Sequence, residues 1–135
     1  MGLAQVYGVG IKGGGAVSDR ELLELAAKAA GILPLPDGKE LDAAPDGGLM
    51  ICGGGEVKYW NPLTDDGDAL RLAVKCEMSL DLFDDLIRVG YTLPDESLRP
   101  ADRTADVVES PKADPCAATR RAIVRAAAEI GRNMP

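Results

Sequence analysis

The sequence predicts an α+β domain: an α/β/α sandwich with three helices packed on a mainly antiparallel sheet of four to five short strands. Two observations carry that expectation. Three segments place apolar residues at helical spacing behind a polar N-cap. Between them lie short stretches where apolar and polar residues alternate, joined by turns too short for parallel crossovers, so neighbouring strands pair as hairpins.

Taken in order, residues 1–17 read as a glycine-rich leader with six glycines, at Gly2, Gly8, Gly10, Gly13, Gly14 and Gly15. Ordering so many glycines is entropically costly, which fits a mobile arm, yet residues 5–11 have the apolar content of one edge strand. Residues 18–135 then form a single domain. Ser18 is a natural N-cap with Glu21 three positions on, a capping box, and Leu22, Leu25, Ala26, Ala29 and Ala30 share one helical face. Gly31 is placed to end this helix, and Pro34 and Pro36 block any continuation. Residues 34–48 are rich in Pro, Gly and acids and read as a solvated loop.

Two short strands follow, at residues 49–52 and 56–60, around Gly53-Gly54-Gly55. Pro62 stops the second. A second helix starts near Thr64 or Asp65 and runs to about Cys76, with Ala69, Leu70, Ala73, Val74 and Cys76 as its expected apolar face. The period then becomes two: Met78, Leu80 and Leu82 oppose Glu77, Ser79 and Asp81. Asp84-Asp85 makes a turn, after which Ile87, Val89 and Tyr91 alternate with Arg88 and Gly90. A hairpin fits this pattern; a helix capped by Ser79, with Leu82, Phe83, Leu86 and Ile87 on one face, competes with it. Residues 93–103 read as a polar loop and 105–109 as one more strand. The last helix has Asp114 as N-cap, Pro115 at its first position and Gly131 as its expected close, with Ala117, Ile123, Val124, Ala127 and Ile130 facing inward.

Composition excludes much chemistry. The 135 residues include no histidine, so no Ser-His-Asp triad, Cys-His pair or histidine metal site exists. The net charge of −7, from 15 basic and 22 acidic residues, argues against nucleic-acid binding through phosphate neutralisation. Cys52, Cys76 and Cys116 are isolated and form no C-x-x-C, so they read as buried thiols in a reducing cytosol. No apolar run suits a membrane span, and the glycine-broken start lacks the basic region of a secretory signal, which sets a cytoplasmic expectation.

Residues 8–13 spell G-x-G-x-x-G. The dinucleotide fingerprint needs a helix opening at its glycines, but the helix here begins at Ser18, and prolines occupy the place of the second strand. Asp65, Asp66 and Asp68 cluster at the start of the second helix. They suit capping and the helix dipole, or, with Asp84 or Asp85, a Mg²⁺ ion. Trp60 and Asn61 lead into that helix through a tight corner; a lone tryptophan suits either a core anchor or a ligand contact. Arg120, Arg121, Arg125 and Arg132 make the final helix locally basic, either pairing with the acidic remainder or offering a stripe to an acidic partner. The candidate ligand or partner contacts are thus Trp60, Asn61, Asp65, Asp66, Asp68, Arg121 and Arg125. No catalytic residue, resident metal or cofactor is assigned.

Three stretches carry a family resemblance: D-R-E-L-L-E-L-A from Asp19, with Gly31; W-N-P-L-T-D-D-G-D-A-L-R-L-A-V from Trp60; and Asp114-Pro115 with A-A-T-R-R-A-I-V-R-A-A-A-E-I-G from Ala117. Together they resemble the phage ABA sandwich domain family, small proteins of tailed phages and prophages. The resemblance implies an α/β/α sandwich of unassigned function and brings no catalytic residues with it. The leading expectation is therefore a phage- or prophage-derived accessory protein acting by binding rather than catalysis, with a protein partner not identified and a homodimer open. Two alternatives stand: a metal-assisted phosphoester hydrolase using the acidic cluster, and an acidic DNA mimic that blocks a host enzyme.

Overall fold

A computed structural model describes residues 17–32, 47–53 and 56–135. The elements run α1 (Asp19–Ala30), β1 (Leu49–Gly53), β2 (Glu56–Trp60), α2 (Asp66–Lys75), β3 (Ser79–Leu82), β4 (Ile87–Thr92), α3 (Pro100–Arg103), β5 (Thr104–Glu109) and α4 (Pro115–Arg132). The class is α+β, as the sequence indicates. Among the described residues the strands divide into two antiparallel sheets, β1-β2 and β3-β4-β5. Residues 1–16 of the leader expected at 1–17, residues 34–46 of the loop expected at 34–48, and Gly54-Gly55 lie outside the described residues.

Local chemistry sets the helix ends. The Ser18 hydroxyl accepts from the Glu21 N–H at 3.1 Å, and the Glu21 carboxylate accepts from the Ser18 N–H at 3.3 Å, closing the capping box. At the other end Gly31 turns left-handed, with φ 73°, and lets Ile32 N–H reach the Ala27 carbonyl at 2.8 Å. Asp114 caps α4 by accepting from Ala117 N–H at 3.0 Å.

Residues 79–92 form the hairpin rather than the competing helix. Leu80 pairs with Val89 and Leu82 with Ile87, and β4 pairs onward with β5. Leu80, Leu82, Ile87, Val89, Tyr91 and Val107 fall on one face, which α4 covers over β4 and β5. On the opposite face Arg88 lies between Asp81 at 3.7 Å and Asp106 at 3.9 Å, so that side presents charged groups to water.

Helix α4 is the centre of the molecule and packs on α1, α2, β4 and β5. Its buried residues run nearly all round, from Ala122 to Gly131, and short alanines let neighbouring elements approach. The largest fully buried side chains include Leu23, Leu49, Ile87, Val89 and Val124, and Trp60 is buried among them at 5% exposure.

Four expectations need correction. Gly131 does not close α4; the helix continues to Arg132 and is capped by Asn133, because Gly131 serves the crossing with α1 instead. On α2 the buried residues are Ala69, Leu72 and Ala73, whereas Leu70 and Val74 are 58% and 69% exposed. The apolar arc of α2 is wider than its contact with α4, so part of it stays open. Residues 100–103, expected as loop, form the single turn α3, which Pro100 preorganises at its first position. Of the thiols expected to be buried, Cys116 is exposed and Cys76 half-buried.

Candidate functional site

Two neighbouring features gather the candidate residues: the corner leading from β2 into α2, and a groove beside it. In the corner, Trp60 is buried at the end of β2 and Asn61 is the buried polar residue that follows. The Asn61 side-chain oxygen accepts from Leu63 N–H at 3.0 Å, and the Asn61 carbonyl accepts from Thr64 and Asp65 N–H at 3.1 and 2.9 Å. Asn61 N–H in turn donates to Asp68 at 2.9 Å. A buried asparagine can be tolerated where its polar groups find partners in this way.

The acidic cluster is divided among distinct tasks. Asp65 caps α2, accepting from Asp68 N–H at 2.8 Å. Asp68 holds Asn61 with one oxygen and Arg71 with the other, at 2.8 Å. Asp66 points outward and meets Arg120 at 2.6 Å. Arg120, 17% exposed, also donates from Nε to the Leu63 carbonyl at 2.8 Å and so ties α4 to the corner. Among the described residues no group of three or more acids, cysteines or histidines is arranged to hold a metal ion.

The arginine stripe of α4 is likewise spent on its own chain. Arg121 pairs with Asp19 at 3.0 Å, Arg125 pairs with Glu109, and Arg132 pairs with Glu129. Such exposed pairs contribute only ~0.2–1 kcal/mol each, so they fix orientation more than stability.

Beside the corner lies a groove of about 320 Å³. Ala69, Ile87 and Ile123 make its floor. Leu70 of α2 forms one wall, and Leu80, Leu82 and Phe83 form the other. Asp66 and Arg120 stand at its rim, and Pro115 and Cys116 mark the N-terminal end of α4. The groove exists because α4 packs chiefly over β4 and β5, leaving the apolar side of β3 half-open. Leu70, Leu82 and Phe83 are more than half exposed there, at 58%, 61% and 52%.

Comparison with known protein families, curated proteins and solved structures finds no match. The geometry therefore has to speak for itself. It brings Trp60, Asn61, Asp65, Asp66 and Asp68 together in one corner, while Arg121 and Arg125 sit further along α4, each in an ion pair. Sequence reasoning missed the groove. Its signal was present in Phe83, the single phenylalanine, set next to a turn, and in the over-wide apolar arc of α2. The α2 arc was read as wholly core-facing, and Phe83 was placed only on the face of the competing helix. Arg120, which links groove and corner, was read as one member of a stripe.

Proposed function

We propose that the chain is a small accessory protein of phage or prophage origin that works by binding a protein partner, not by catalysis. The groove between α2 and β3 carries this reading: it is apolar, open, and bordered by an unpaired strand edge among the described residues. An extended apolar segment would gain both side-chain burial and backbone hydrogen bonds there. The phage assignment rests on the W-N-P-L-T-D-D-G-D run and its companions in α1 and α4.

The hydrolase reading has less to stand on, since Asp65, Asp66 and Asp68 each have a hydrogen-bond or ion-pair partner within the fold. The mimic reading needs a continuous acidic face, whereas the described acids are interleaved with arginines.

The test pairs capture with turnover. Tagged wild-type chain and a Leu82→Asp/Phe83→Asp variant are passed over lysate from a phage-infected host, and a recovered protein is purified and titrated against both. Stoichiometric binding to wild type that is lost in the variant supports the proposal. Hydrolase or nuclease turnover that disappears with Asp65→Asn or Asp68→Asn overturns it, as does equal binding by both proteins.

A further inference from the structure

We propose that the segment this groove takes up is basic as well as apolar: an extended stretch of a partner protein that adds antiparallel to the edge of β3, sets alternate apolar side chains into the groove, and carries lysine or arginine at its N-terminal end, against Asp84 and Asp85. The inference rests on the groove being the binding site and deepens that reading by naming the partner's chemistry.

The two edges of the three-stranded sheet differ. In the order β3-β4-β5, β3 and β5 are outermost. At β5, Arg125 donates to the Val108 carbonyl at 3.4 Å while it pairs with Glu109, so a charged side chain already guards that edge. Among the described residues nothing similar covers β3. Phe83 N–H donates to the Leu86 carbonyl at 2.8 Å, which makes that pair a hydrogen-bonded one. Alternation along an antiparallel ladder then directs the backbone groups of Leu80 and Leu82 away from β4, toward the open side.

That edge selects a side-chain pattern. The Leu80 and Leu82 side chains line the groove. Residues paired opposite them project to the same face of the sheet, so every second side chain of an added strand enters the groove and must be apolar. The intervening side chains fall on the face that carries Asp81 and Arg88, where polar groups are at home.

Charge then sets the direction. Asp66 at the rim is paired with Arg120, and Asp81 with Arg88. At the start of β3 the exposed Glu77 has Lys75 beside it in the chain. Asp84 and Asp85, exposed at the hairpin tip next to Phe83, form no ion pair among the described residues. The uncompensated charge along this edge is therefore negative and lies at the C-terminal end of β3. An antiparallel strand brings its own N-terminal end there. The net charge of −7 also speeds encounter with a basic partner, whereas a second copy would bring like charge to the same edge.

Three fluorescein-labelled, end-blocked peptides test this on the full chain by anisotropy at low salt: Lys-Lys-Val-Thr-Leu-Thr-Val, the same residues with both lysines moved to the C-terminal end, and the first peptide with glutamates for lysines. The first should bind about tenfold more tightly than the glutamate peptide, and moving the lysines should lose most of that gain. In Asp84→Asn/Asp85→Asn the preference should shrink to less than about twofold, and in wild type it should fade as salt is added. Equal binding of the lysine and glutamate peptides, or a preference that survives in the Asn variant, overturns the proposal; the groove reading stands in that case if Leu82→Asp/Phe83→Asp still abolishes binding. Binding that persists in Leu82→Asp/Phe83→Asp overturns both. Binding of none of the three peptides overturns the proposal alone. Amide-exchange protection of Leu80 and Leu82 in the free chain also overturns it, since the edge is then taken by the chain itself if protection is independent of concentration, or by a second copy if it grows with concentration.

Discussion

Gly131 of α4 and Leu25 of α1 meet so closely that a Cβ built on Gly131 would stand 2.0 Å from the Leu25 carbonyl oxygen. The two helices run side by side in the same direction: Asp19 is bonded to Arg121 near one end, and Lys28 donates to the Met134 carbonyl at 3.1 Å near the other. Small residues permit this approach. Ala26 and Ala27 on α1 and Ala127 and Ala128 on α4 are essentially inaccessible.

Replacing Gly131 with alanine tests that crossing, because two effects of opposite sign compete. Helix propensity favours alanine over glycine by ~1 kcal/mol. The clash, however, is with backbone and not with a side chain that can swing away, and overpacking of this kind costs ~1–3 kcal/mol or more. Gly131→Ala should therefore lower stability by roughly 1–2 kcal/mol net, read from urea unfolding. A stabilised variant would show that the helices are further apart.

The corner residues should rank by what they leave unpaired. Asp68→Ala strips the partner from the N–H of buried Asn61 and should cost ~1–3 kcal/mol. Asp65→Ala removes the α2 cap, a loss of ~1 kcal/mol. Asp66→Ala breaks an exposed pair and should cost ~0.5 kcal/mol. Denaturant midpoints of the three variants, with and without millimolar Mg²⁺, check the order. A Mg²⁺-dependent gain in wild type that vanishes in all three would mean the cluster binds metal.

Trp60 gives both a stability and a spectroscopic prediction. Truncation of a buried tryptophan to alanine costs ~3–5 kcal/mol, so Trp60→Ala should be largely unfolded if the domain has the usual marginal stability. As the one tryptophan, Trp60 also reports on its surroundings. Its emission should be blue-shifted in the native protein and move to the red in urea. Native emission already at the solvent-exposed position would contradict its burial.

How legible all this was in the sequence depends on distance along the chain. Caps were readable because they act over three residues: Ser18 with Glu21, Asp65 with Asp68 and Asp114 with Ala117 all do as their spacing suggests. The β3-β4 hairpin was readable from its period. Gly131 misled because a glycine near a helix end satisfies two needs, a left-handed cap or a close approach, and only the distant Leu25 decides between them. The groove was hidden for the same reason. Leu70, Leu82 and Phe83 look like core residues until the reach of α4 is known, and no local pattern encodes where a helix stops covering a sheet.

Alkaline pH offers the last test, through two half-buried groups that lose a proton. Burial pushes the Cys76 thiol above its ordinary value of 9.0, opposed by nearby Lys75. Burial chiefly, with Glu129 and Asp106 adding to it, raises the Tyr91 hydroxyl above 10.0. Each group holds its proton more tightly when folded than when unfolded. Its contribution to stability is therefore complete below the ordinary value and is lost as pH rises through the folded one. The unfolding midpoint should stay level up to about pH 9 and then fall. Cys76→Ala should flatten the first part of that fall and Tyr91→Phe the later part, each relative to its own neutral-pH midpoint. A midpoint that rises between about pH 9 and pH 11, or a fall untouched by both substitutions, would place these side chains in water instead of against the core.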